Sequence, residues 1–76
     1  MDWQPYIERV AGVMLGKPVF RGTRITVEFV LERLAQGAKP EELVRSHPPL
    51  TIEQIRAALA YAVSVVRQDE VLLSTP

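Results

Sequence analysis

The chain has no cysteine and a single histidine, His47, among its 76 residues. The first absence removes disulfides, thiolate metal ligands and a thiol nucleophile; the second leaves too few imidazoles for a usual zinc site. No metal site and no cofactor are expected. No serine, histidine and acid set has a workable spacing, so no catalytic residues are assigned and the chain is not read as an enzyme. No apolar run approaches a membrane span, and the start of the chain lacks the basic-then-apolar layout of a signal peptide. With no cysteine to suit an oxidising compartment, the expectation is a soluble, cytoplasmic protein with no membrane association. The formal net charge is zero, so no excess of positive charge points to nucleic acid.

What is present fits one small domain spanning 1–76. Hydrophobic residues make up 47% of the chain, too many for a disordered tail. A domain this size, without disulfide or metal, gains burial from a partner subunit, and a homodimer formed through residues near Tyr6 to Phe20 is expected. Charge is uneven. Residues 1–39 carry six cations against four acids, and residues 40–76 carry three against five.

Residues 6–25 read as a β-hairpin with a basic loop. Tyr6 to Val10 alternates in part, Ala11-Gly12 supplies a bend, Val13-Met14-Leu15 extends towards Gly16-Lys17-Pro18, and Val19-Phe20 returns. Residues 26–67 read as three helices. Thr26 caps a first helix from Val27 to Gln36 that Gly37 stops, with Val27, Val30, Leu31 and Leu34 on one stripe. Pro40 opens a short second helix, with Glu41 and Glu42 in its first turn and Leu43 and Val44 as anchors. Thr51 and Gln54 form a capping-box pattern for a third, longer helix. Its buried stripe is expected to be Ile52, Ile55, Leu59, Ala62 and Val66, and residues 69–76 are expected to fray. The fold class is mainly α. A turn through His47 to Leu50 gives helices two and three the layout of a helix-turn-helix unit.

The stretch Gly16 to Ile25 carries the sharpest signal. Two glycines bracket a short apolar pair, and Arg9, Lys17, Arg21 and Arg24 lie between Glu8 and Glu28 with no acid among them. A bend-rich cationic loop with free amides binds phosphate oxygens. The alternative is a tight structural turn whose arginines pair with nearby carboxylates. On the third helix, Gln54 and Arg56 suit base edges and Thr51 joins them at the groove, whereas Glu53 repels phosphate. Small residues opposite the expected stripe, Ala57, Ala60 and Ser64, would let another body approach. His47 reads as a cap at the end of helix two. Phe29, off the stripe of helix one, is expected to pack within the chain or in a dimer.

Taken together, Gly16-Lys17-Pro18-Val19, Arg21-Gly22-Thr23-Arg24-Ile25, the Leu34 to Gly37 helix end, Pro40-Glu41-Glu42-Leu43, Pro49-Leu50-Thr51, Ile55 and Ala57 to Ala62 resemble the domain-of-unknown-function family four-three-three, a VapB-type antitoxin-like family. The resemblance runs from about Tyr6 to Val63. It implies a homeodomain-like or winged helix-turn-helix fold and the role of antitoxin in a type II toxin–antitoxin pair. The implied partners are a PIN-like ribonuclease toxin and double-stranded DNA at the chain's own promoter. Lys17, Arg21 and Arg24 would then contact phosphates while Thr51, Gln54 and Arg56 face the groove. The other reading is a protein-interaction module with a degenerate helix-turn-helix and no DNA binding. The chain departs from the family pattern at Thr26, where proline is usual, at Lys39, where a small polar cap is usual, and at Val13-Met14-Leu15, where the segment usually contains glycine.

Overall fold

The computed structural model describes residues 1–74, with side chains through Gln68. Two short strands, β1 (Ile7–Glu8) and β2 (Val19–Phe20), precede three helices: α1 (Val27–Ala35), α2 (Pro40–Ser46) and α3 (Ile52–Ser74). The strands pair antiparallel with Ile7 opposite Phe20 and Glu8 opposite Val19.

The hairpin is smaller than its sequence pattern predicts, and Val13 to Leu15 do not form a strand. Tight turns take the backbone groups that a ladder would need. Val13 N donates to Val10 O at 3.0 Å, Gly16 N to Val13 O at 3.0 Å and Lys17 N to Met14 O at 3.1 Å. Met14 to Gly16 form a single 3-10 turn, in which Met14 and Leu15 take φ of 48° and 59°. Those left-handed angles favour glycine over methionine and leucine. The far edge of β2 is closed as well. Val19 bridges Thr26, Phe20 N donates to Ile25 O at 3.1 Å, and Val27 N donates to Pro18 O at 3.0 Å. No open β2 edge remains to pair with a second copy.

The helix ends follow the sequence. Thr26 Oγ1 accepts from Phe29 N at 3.0 Å, capping α1. At its other end Gly37, with φ 99°, donates to Leu34 O while Ala38 donates to Arg33 O, a Schellman closure. Lys39 precedes α2 with no side-chain cap, and Pro40 occupies the first turn. At α3 the capping box is complete: Gln54 N donates to Thr51 Oγ1 at 3.2 Å, and Thr51 N donates to Gln54 Oε1 at 2.9 Å.

The core gathers Ile7 and Phe20 from the hairpin, Val27 and Val30 from α1, Leu43 from α2, Leu50 from the turn, and Ile55, Ala57 and Ala58 from α3. This corrects the expected phase of α3. Ile55 is buried, but Leu59 is 47% and Val66 52% exposed, while Ala57 and Ala58 are fully buried. The physical reason lies in the N-terminal segment. Trp3 packs edge-on against Tyr61 with ring centroids 4.9 Å apart, so the Tyr61 side of α3 is turned inward. Alanines on that side let α1 and the hairpin come close. Helix α3 runs past residue 67 to Ser74, where a frayed tail is expected from residue 69, and residues 75–76 of that expected tail lie outside the described residues.

Candidate functional site

The turn that closes β2 is built from its own side chains. Thr23 Oγ1 donates to Phe20 O at 2.8 Å and accepts from Ile25 N at 3.0 Å, and Gly22 takes φ 75°. This geometry projects Arg21 and Arg24 into solvent on either side of Gly22-Thr23. Arg21 then folds back onto β1. Its Nη1 lies 3.2 Å from Glu8 Oε1 and its Nη2 donates to Gln4 O at 3.2 Å. Gly22 N donates to the second oxygen, Glu8 Oε2, at 3.4 Å. The loop therefore does hold an anion, and the anion is the chain's own carboxylate. Lys17 Nζ lies 3.1 Å from Glu28 Oε1 in the first turn of α1. Arg24 is exposed and makes no ion pair among the described residues.

The α3 group sits apart from this loop, and no hydrogen bond or ion pair joins the two sets among the described residues. Thr51 and Gln54 hold each other in the capping box, which engages the Gln54 carbonyl that would otherwise read a base edge. Arg56, two residues further on, is exposed. His47 caps α2 through its backbone, donating to Leu43 O at 2.9 Å, and its ring packs edge-on against Phe29 with centroids 5.1 Å apart. That contact accounts for Phe29 inside the chain. Arg9 Nη2 donates to Tyr61 Oη at 3.1 Å.

Two exposed apolar features were not among the expected site residues. The first is the 3-10 turn, whose Leu15 is 94% exposed. Below it an open depression of about 390 Å³ is lined by Met14, Lys17, Glu28, Phe29 and Glu32, among others. The second is the outer face of α3, where Leu59, Ala62, Val63 and Val66 line a shallow groove ending at Arg67. The signal for this face was present in the sequence as the regular Ile52, Leu59, Val66 spacing. Large apolar residues usually face a core, and such spacing alone does not say which side of the helix the hairpin covers.

The family model described as "Protein of unknown function (DUF433)" matches residues 7–62, and the chain belongs to that family. Among solved structures it is similar to a crystal structure of a DUF433 member protein from Anabaena variabilis ATCC 29413. The two share 32% sequence identity at a TM-score of 0.78, over 95% of this chain and 71% of that one. No curated protein matches the chain. The family match stops at residue 62, whereas α3 continues to Ser74.

Proposed function

We propose that this protein is a binding protein rather than an enzyme: an antitoxin-type module of the cytoplasm that acts as a homodimer and docks on a PIN-like ribonuclease. The observation that carries this reading is the contrast between its charged and apolar surfaces. Glu8 and Glu28 engage two of the three loop cations, while Leu15, Leu59, Val63 and Val66 stand in water. Scattered exposed leucines and valines are ordinary, but a contiguous row on one helix face and a bare leucine on a strained turn favour protein contacts. A toxin-neutralising dimer needs two such surfaces, one for its copy and one for the ribonuclease. The Met14-Leu15 turn is assigned to the ribonuclease.

A second reading, repression of the chain's own promoter through the helix-turn-helix, draws on Arg24 and Arg56, both exposed and without an ion pair among the described residues. Two cations give a shallow electrostatic footprint, so the protein-interaction reading is preferred.

Co-expression with a PIN-like ribonuclease tests the first reading. The expected result is a stable complex with suppressed RNA cleavage, both weakened by Leu15→Glu. A ribonuclease that stays free and fully active in the presence of the folded protein would overturn it.

A further inference from the structure

The depression beneath the Met14-Leu15 turn combines apolar surface with an imbalance of charge. Met14, Leu15 and Phe29 supply the apolar surface, and Lys17, Glu28 and Glu32 stand around it. Two carboxylates against one ammonium leave an excess of one negative charge. Lys17 Nζ lies 3.1 Å from Glu28 Oε1, but both side chains are about half exposed, so the pair holds Glu28 only weakly. Glu32, exposed and one turn further along α1, makes no ion pair among the described residues. The i, i+4 spacing puts both carboxylates on one face of the helix, with Cβ atoms roughly 5–6 Å apart. Beside them, two consecutive left-handed residues hold Leu15 in water.

We propose that this depression takes an arginine side chain of the partner ribonuclease, which deepens the docking role of the Met14-Leu15 turn and rests on it. The aliphatic stem lies along Met14 and Phe29, the guanidinium meets Glu32 and shares Glu28 with Lys17, and Leu15 closes the contact. Charge complementarity selects this occupant. An anion is repelled by the excess negative charge. A purely apolar side chain would cover the Glu32 carboxylate without giving it a partner, which is costly. A metal ion lacks ligands, since no group of three His, Cys, Asp or Glu side chains is gathered among the described residues. Lysine is a compact, strongly hydrated charge. A guanidinium is less hydrated, reaches two carboxylates with its fork of donors, and is attracted to an aromatic ring such as Phe29. A ribonuclease supplies such a residue, because a protein that holds RNA presents cations to its phosphates. An arginine held at Glu32 is withdrawn from RNA, so docking and suppression of cleavage come from one contact. Enclosed between the two proteins, the pair is little screened by salt.

Two measurements on the full chain test it, one without the ribonuclease and one with it. In the first, amide NMR shifts are followed during titration with acetyl-arginine amide and with acetyl-citrulline amide, in which a neutral urea replaces the guanidinium. The arginine compound is expected to shift Met14, Leu15, Phe29 and Glu32, the citrulline compound much less, and Glu32→Gln is expected to remove the difference. In the second, affinity for a PIN-like ribonuclease is compared across charge reversals. Glu32→Lys is expected to weaken the complex by more than about tenfold, as loss of one partner of an enclosed charge pair does, while its helical circular dichroism stays unchanged. Glu53→Lys makes the same change of charge on α3, outside the depression, and is expected to stay within about twofold of wild type. Equal shifts from the two amides would overturn the arginine site. So would a Glu32→Lys variant that binds the ribonuclease as tightly as wild type, or one no weaker than Glu53→Lys. Selective binding of the arginine amide by a protein that never binds the ribonuclease would overturn the ribonuclease reading alone and leave the arginine site standing.

Discussion

Arg21 Nη1 stands 3.2 Å from Glu8 Oε1, and this pair decides what the basic loop is free to do. The guanidinium is tied back onto β1, and the neighbouring Gly22 amide points at the same carboxylate. Glu8 is the anion that both groups engage. Glu8→Gln is expected to release Arg21 and raise affinity for any duplex, steepening the salt dependence by roughly one counterion. Fluorescence anisotropy on a promoter duplex and a scrambled duplex across a salt series checks this. Equal binding by wild type and Glu8→Gln at every salt concentration would show that the pair does not gate the loop.

The inward face of α3 is the one carrying alanines. Ile55→Ala is expected to cost about 2–5 kcal/mol, as for other buried large-to-small changes, whereas Leu59→Ala is expected to stay within about 0.5 kcal/mol when the chain is dilute enough to be monomeric. Ala58→Leu, on the buried face, is expected to destabilise by about 1–3 kcal/mol through overpacking. Urea unfolding followed by circular dichroism ranks the three. A Leu59→Ala variant as damaged as Ile55→Ala would return Leu59 to the core.

Thr51 and Gln54 satisfy each other's backbone amides at the start of α3. Thr51→Ala is expected to cost about 0.5–2 kcal/mol, the usual loss for a side-chain cap. Thr51→Asp, which keeps a capping oxygen, is expected to restore most of it. Thermal melts of the two variants measure the difference.

Leu15 sits at φ 59° with 94% of its surface in water, so the strain of the left-handed backbone has no packing to offset it. Leu15→Gly is expected to stabilise the domain by about 1 kcal/mol, because glycine enters this region without a Cβ clash, while weakening ribonuclease binding. A more stable variant that binds as well as wild type would remove Leu15 from the docking surface.

The helices were legible because their ends are written in side-chain chemistry. Thr26, Gly37, Pro40 and the Thr51–Gln54 pair each stand where a cap or a stop is required, and each is found there. The hairpin was legible in outline only. Periodicity at Val13-Met14-Leu15 says strand, and nothing in those three residue types announces a turn with two left-handed angles. The α3 stripe was read correctly as a stripe and placed on the wrong side, since a helix with two apolar faces has no sequence signal for which one the hairpin covers. The loop cations were found, but their partners Glu8 and Glu28 lie 13 and 11 positions away in the chain. Only the fold brings them together.

The most direct test of the central claim is calorimetric titration of the protein into a PIN-like ribonuclease at low and at high salt, repeated over temperature. Association through apolar surface predicts an affinity that hardly changes with salt and a negative heat-capacity change. No heat of binding under any of these conditions, or an affinity that collapses with salt as counterion release demands, would contradict it.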